Sequence, residues 1–291
     1  MGFGISVFSI PMKILPPLRA SLAFAVLFSL AACQTAATAP APAPKPTLLA
    51  AATPPAAPAM PAAPAPHVDA SAGMPKKDTG GFLKRHEGFL ARGKSGPVGL
   101  LFIGDSITDG WTKAPHIWEA YYGKYEPANF GIGGDQTQHV IWRIENGELE
   151  GLRPKVTVLM IGTNNSAGNT AAEIAAADKK IVDLIRAKMP ETKVLLLAIF
   201  PRGAKKEKDG TILEKTALDA AKRTAVINDV NVALAQLDDG KNVRYLDIAP
   251  VFYGQDGKIP FTIMPDQLHP NAAGYQLWAD AMKPLLTEML K

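Results

Sequence analysis

One cysteine, Cys33, stands in the whole 291-residue chain. A lone thiol closes no intrachain disulfide and builds no cysteine metal centre, so neither device holds this fold together. Strong net charge is also missing. Lys and Arg number 31 against 27 Asp and Glu, for a formal charge of +4, and no dense basic stripe of the kind nucleic acid requires is present. The most apolar stretch, ASLAFAVLFSLAA at 20–32, is shorter than the roughly 20 residues a bilayer-spanning helix needs. Several motifs are absent as well. There is no G-x-x-x-x-G-K-[ST], no H-E-x-x-H and no G-x-S-x-G, and the G-I-G-G-D at 131–135 is not G-x-G-x-x-G. P-loop, zincin, nucleophile-elbow and dinucleotide chemistries are therefore unsupported.

The apolar stretch is preceded by Lys13 and Arg19 and ends in small residues. This is the layout of a secretory signal, with a charged region, an apolar region and a small-residue exit. The exit Leu30-Ala31-Ala32-Cys33 resembles a bacterial lipobox, in which the cysteine is lipidated and becomes the new N-terminus. In that resemblance Gln34 favours the outer membrane over inner-membrane retention. Residues 1–11 are unusual for a signal, and Met12-Lys13 is the expected start of translation. From 34 to 79 Pro and Ala dominate without apolar period, the composition of a disordered or polyproline-like linker. Fully extended, this stalk reaches on the order of 100 Å at roughly 3.1 Å per residue. The expected layout is a signal over 1–33, a linker over 34–79 and a domain over 80–291.

Within that domain the apolar pattern changes. VGLLFI (98–103), VTVLMI (156–161), VLLLAIF (194–200) and the weaker VRYLDI (243–248) are continuous apolar runs, with NFGI (129–132) as one more short strand. Runs of this type suit strands buried on both faces of a parallel sheet. Helical spacing occupies 171–189, 216–237 and the stretch from Asn271 to the C-terminus. Strand–helix alternation predicts a three-layer α/β domain, and in such sheets function gathers at the carboxyl ends of the strands. Polar and glycine-rich residues stand at each expected place: Gly104-Asp105-Ser106, Gly131-Ile132-Gly133-Gly134-Asp135, Gly162-Thr163-Asn164-Asn165, Pro201-Arg202-Gly203, and Asp266-Gln267-Leu268-His269-Pro270.

Ser106, in GDSITDGW (104–111), is the candidate nucleophile. A serine hydroxyl needs a base in reach, and the base needs an orienting carboxylate. Of five histidines, His67 falls in the linker and His86 on an amphipathic first helix, expected to be solvated. His116 has no carboxylate at an orienting spacing. His139 follows Asp135 by four residues and is the nearest rival. His269 follows Asp266 by three, on a loop ahead of the last helix. Acyl transfer also needs donors for the tetrahedral oxyanion. The Gly133-Gly134 backbone and the Asn164 amide are the candidates, since glycine lets the backbone approach a ligand with no Cβ between.

These stretches together resemble the GDSL, or SGNH, hydrolases. Ser106 in GDSITDGW, Gly134 in NFGIGGDQT, Asn164 in IGTNN and His269 in DQLHPN match the four name-giving positions. NFGIGGDQTQHVIWRIENGELEG, PKVTVLMIGTNN and FPRG (200–203) resemble the group of the platelet-activating-factor acetylhydrolase catalytic subunits. The resemblance covers most of 80–291. It implies a flavodoxin-like three-layer α/β/α fold with a five-stranded parallel sheet. It further implies Ser106 as nucleophile, His269 as general base and then acid, and Asp266 as its orienter. The oxyanion hole would be the Ser106 and Gly134 N–H groups with the Asn164 amide, and homodimers occur in the family. The export signal departs from that cytosolic animal enzyme, so its lipid substrate does not carry over, and Pro270-Asn271 after the histidine is a bacterial feature.

The expectation is a serine esterase without metal or cofactor, acting on small-molecule or glycan esters, with short acyl or acetyl groups on carbohydrate favoured. Its membrane contact would be through the lipid anchor alone, and it would not bind nucleic acid. Lysophospholipase or thioesterase action is the alternative within the same chemistry. A non-catalytic surface lipoprotein that binds glycan or partner is the alternative from another class. Ile107 and Leu268 are expected to wall a small acyl pocket. Trp111, Trp118 and Trp142 could line a sugar site near the cleft, but apolar packing is the role expected first of each.

Overall fold

The computed structural model describes residues 67–77, 81–207 and 209–291. The signal, Cys33 and the linker up to residue 66 lie outside the described residues.

The sheet has five strands, β1 (Leu100–Gly104), β2 (Pro127–Gly131), β3 (Val156–Met160), β4 (Lys193–Leu197) and β5 (Val243–Leu246). Every neighbouring pair is parallel, in the order β2-β1-β3-β4-β5. This is the flavodoxin-like arrangement that the family resemblance implies, and its connections reverse direction between β1 and β3, where open α/β sheets place their sites. Register puts Gly104 beside both Gly131 and Met160, so the three strands end level with one another.

Alternation along the strands feeds two cores. Leu101, Ile103, Leu159, Val194 and Leu196 face α1 (Phe82–Lys94), α4 (Thr137–Glu145), α5 (Ala171–Lys188) and α6 (Glu214–Ala235). Leu100, Phe102, Val156, Val158, Leu195 and Leu197 face α3 (Pro115–Tyr122) and α7 (Ala272–Met289). Strands covered on both faces explain the continuous apolar runs. Each fully buried Leu or Ile stabilises the fold by about 1.5–3 kcal/mol.

Two boundaries differ from the apolar pattern. The run at 194–200 continues past the end of β4 because another group takes over its hydrogen bonds. The Asn231 side chain accepts from Ile199 N at 2.8 Å and donates to Ile199 O at 3.0 Å, standing in for a strand. The second difference is at the N-terminal side. Residues 67–77, assigned above to the linker, lie along the domain as a strap. Ala70 is buried in the first core, Thr137 Oγ1 donates to its carbonyl at 2.8 Å, and Asn169 Nδ2 donates to Val68 O at 2.8 Å. Composition hid this, because the anchoring groups are main-chain carbonyls that any residue supplies.

Candidate active site

The chain leaves β1 at Gly104 and turns at once into a four-residue helix, α2 (Ser106–Asp109). Asp105 caps it, its Oδ1 accepting from Ile107 N at 2.9 Å. Close packing at the strand ends requires the glycines. A Cβ on Gly104 would lie 2.1 Å from Thr108 Oγ1 and 2.5 Å from Met160 O. One on Gly131 would lie 2.2 Å from Asp109 N. Only glycine lets α2 sit this low on the sheet with Ser106 at its first position.

The histidine arrives from the loop before α7. Gln267 has φ of +62°, a conformation costing a non-glycine residue about 1–3 kcal/mol. It is held there by burial and by its side-chain amide, which donates to Ile259 O at 3.0 Å and Met264 O at 3.1 Å. The turn lets Asp266 Oδ1 accept from Leu268 N at 3.1 Å and His269 N at 2.8 Å. Tyr275 on α7 then donates its hydroxyl to Ile107 O at 2.7 Å, joining the serine's helix to the histidine's.

Ser106 Oγ lies 2.8 Å from His269 Nε2, and His269 Nδ1 lies 2.6 Å from Asp266 Oδ2. Three residues spread over 163 positions thus form one hydrogen-bonded line. Burial alone would raise the Asp266 pKa, but the hydrogen bonds from the His269 ring and main chain and from Leu268 N outweigh it, and the net direction is down. The carboxylate stays ionised next to the imidazole.

Behind the serine the other strand ends converge. Gly134 has φ of +74°, and a Cβ on Gly133 would stand 3.9 Å from that of Ser106. Asn164 Nδ2 donates to Asp135 O at 2.8 Å, which ties the end of β3 to the glycine turn after β2. All five polar positions singled out from sequence are therefore gathered at one edge of the sheet.

The remaining expectations divide. The rival His139 is buried, and desolvation, helped by the nearby charges of Lys76 and Arg143, lowers its pKa to about 4. Its Nδ1 accepts from Gln136 N at 3.0 Å as a helix cap. His86 is not solvated. It is buried, with Nε2 3.1 Å from Asn146 O and Nδ1 3.9 Å from Glu148. Ile107 is fully buried in the second core and offers no wall to an acyl group. Leu268 borders a cleft of about 300 Å³ shared with Asp266, Arg202 and Gly203. Trp111 is buried in an aromatic cluster with Phe102, Tyr275 and Trp278. Trp118 packs on the same cluster, and Trp142 packs on Phe82 and His86.

Sequence reasoning missed the buried polar layer beneath the site. Asp105 is pushed up to about 7 by burial, against the Ile107 N–H bond that favours its charge. Asp135 is likewise raised to about 7 by burial, against the pull of Arg143 and Lys76. Arg143 has no exposed surface and bridges Asp135, 3.1 Å from its Nε, to Glu148. Asp178, beneath the Gly162 turn, is also raised well above the usual carboxylate range by burial and by Asp105. No short motif announces such a layer, because its members come from five separate segments.

The GDSL-like lipase/acylhydrolase family model matches residues 102–277. The chain belongs to this family. It is a carboxylic ester hydrolase. Over 210 residues it is 36% identical to the platelet-activating factor acetylhydrolase IB subunit alpha2 of Rattus norvegicus, covering 72% of this chain and 85% of that protein. The human subunit alpha1 is 35% identical over 211 residues, with 72% and 85% covered. Among solved structures, a GDSL-like lipase from Bacteroides thetaiotaomicron superposes with a TM-score of 0.51 at 18% identity. That match covers 70% of this chain and 97% of the other, a likeness of fold.

Proposed function

We propose that this GDSL-family hydrolase cleaves short-chain esters, acetyl esters of carbohydrate foremost, through an acyl-serine. The observation that carries the reading is the continuous Ser106–His269–Asp266 line. Ser106 Oγ attacks the ester carbonyl carbon while its proton passes to His269 Nε2. The charge that develops on the carbonyl oxygen is met by the Ser106 and Gly134 N–H groups and the second N–H of Asn164. The imidazolium, held by Asp266, gives the proton to the leaving alkoxide as the C–O bond breaks. Water, deprotonated by His269, then attacks the acyl-serine and releases the acid.

The acetyl preference is supported by the curated relatives, which are acetylhydrolases by name. The carbohydrate preference follows from the export signal, since esters outside the cytoplasm are carried on glycans as well as lipids. The same reading puts the enzyme on a lipid attached to Cys33, facing the periplasm or cell surface. Palmitate incorporation that Cys33→Ser abolishes is the expected result for that anchor.

A p-nitrophenyl ester series from acetyl to palmitoyl tests the substrate class. Hydrolysis falling from acetyl to octanoyl is expected, with acetylated xylan or peptidoglycan fragments next. A maximum at long chains would move the assignment to lipids.

A further inference from the structure

Lys76 lies in the strap, outside the span matched by the family, and its ammonium donates to Gly133 O at 2.5 Å. A Cβ on Gly134 would come within 2.9 Å of the same nitrogen. No carboxylate lies within salt-bridge distance of Lys76 among the described residues. Its charge also bears on the buried Asp135 and His139, but the hydrogen bond it makes goes to one peptide oxygen. Gly133 C=O and Gly134 N–H belong to the same amide unit. A cation on the oxygen of an amide draws electron density from its nitrogen and strengthens the N–H as a donor. Charge-assisted hydrogen bonds are about twice as strong as neutral ones, so the orientation of the peptide is also held more firmly.

The strap is placed without help from Lys76. Thr137 Oγ1 bonds Ala70 O, Asn169 Nδ2 bonds Val68 O, Lys180 Nζ bonds Ser71 O at 3.0 Å, and Met74 N donates to Gln138 O at 3.2 Å. Four anchors from α4, α5 and the loop before α5 deliver the lysine to the glycine turn. Gly134 has φ of +74°, the Gly133 carbonyl of this turn faces the strap, and a trans amide sets the Gly134 N–H on the opposite side.

We propose that Lys76 is a positioning residue of the oxyanion hole: from the strap it holds and polarises the Gly133–Gly134 peptide, whose N–H meets the tetrahedral intermediate. The proposal rests on the assignment of Gly134 N–H as an oxyanion donor. Lys76 itself does not touch the substrate. It follows that residues 67–77 are part of the catalytic unit, and that the linker ends before them.

The test compares the full chain with Lys76→Met, Lys76→Gln, Lys76→Arg and Ser106→Ala on p-nitrophenyl acetate, with kcat and KM resolved separately. Removing a whole oxyanion donor costs about 10²–10³ in rate, so weakening one is expected to lower kcat about tenfold in Lys76→Met, with KM within about twofold. Lys76→Gln keeps a donor without the charge and is expected between Met and wild type. Lys76→Arg is expected to recover most of the loss. Wild-type kcat in Lys76→Met, with Ser106→Ala inactive, would overturn the role of Lys76 and leave the nucleophile standing. A raised KM with kcat unchanged would also overturn it, since Lys76 would then meet the substrate directly. Equal losses in Met and Arg variants accompanied by a lowered Tm would reduce it to a structural contact. Activity in Ser106→Ala would instead remove the site assignment on which the proposal rests.

Discussion

Asn164 Nδ2 donates one hydrogen to the main-chain oxygen of Asp135 at 2.8 Å. The bond crosses from the end of β3 to the turn after β2 and fixes the plane of the amide. The same nitrogen lies 3.5 Å from Asp105 Oδ2, a longer contact that an oxyanion would displace in the proposed mechanism. One side chain thus ties the end of β3 to the glycine turn and to the cap of α2, and the proposed mechanism gives it the third oxyanion donor.

Asn164→Ala is accordingly expected to lower kcat by about 10²–10³, with a much smaller change in KM. Steady-state kinetics on p-nitrophenyl acetate provides the measurement. A loss confined to KM would show that Asn164 binds substrate in the ground state and does nothing further in the transition state.

Asp266 orients His269 through both its oxygens, one to the ring and one to two main-chain N–H groups. Asp266→Asn keeps an acceptor for the main chain only by turning its NH2 toward Nδ1, which must then accept and leaves the imidazole proton on Nε2, the wrong tautomer. The side chain is half exposed, so water can partly replace it. The expected fall in kcat is about 10²–10³, smaller than the roughly 10⁴ that follows loss of a buried triad carboxylate. The folded chain should keep its Tm within a few degrees, and a wild-type kcat would contradict the assignment.

Asp105 gives a pH signature opposite in sign to that of an ordinary surface carboxylate. Its pKa is raised from 3.8 to about 7 by burial. Between those values the folded state holds a proton that the unfolded chain has lost. The free energy of unfolding must then fall as pH rises from about 4 to about 7, and level off above. Asp135 and Asp178 are shifted the same way. Asp105→Asn keeps the Oδ1 acceptor for Ile107 N and removes the titration. It is expected to flatten the slope by roughly 2–4 kcal/mol over this range. Urea unfolding at pH 5, 6, 7 and 8 measures it, and an unchanged slope would mean that Asp105 is ionised throughout.

Much of this architecture was legible because strands buried on both faces leave uninterrupted apolar runs, and their ends carry the polar residues that chemistry needs. Ser106, Asn164 and His269 stood at strand ends or at the loop before the last helix, where the rule for parallel sheets directs attention. The support beneath them was not legible. Gln267 gives no sign in sequence that it sits at positive φ, since its reason is a buried amide reaching Ile259 and Met264. His86 read as solvated because its helix is polar overall, yet its ring is covered by Trp142 and Glu148 from α4 and the loop beyond. Ile107 read as a pocket wall because it adjoins the nucleophile. One step along a helix turns a side chain by about 100°, and that step carries Ile107 into the core. Lys76 sat at the end of a Pro/Ala tract, where a charge looks like solvated linker until the strap's main-chain hydrogen bonds are seen.

The central claim is that Ser106 alone carries the acyl group. Intact-mass analysis after exposure to a p-nitrophenyl alkylphosphonate, beside ester hydrolysis by Ser106→Ala, tests it most directly. One adduct is expected on the wild-type chain, mapped to the peptide containing Ser106. No adduct and no measurable hydrolysis are expected in a Ser106→Ala variant whose circular dichroism and Tm match the wild type. An adduct on another residue, or a folded Ser106→Ala variant that still turns over acetyl esters, would contradict it.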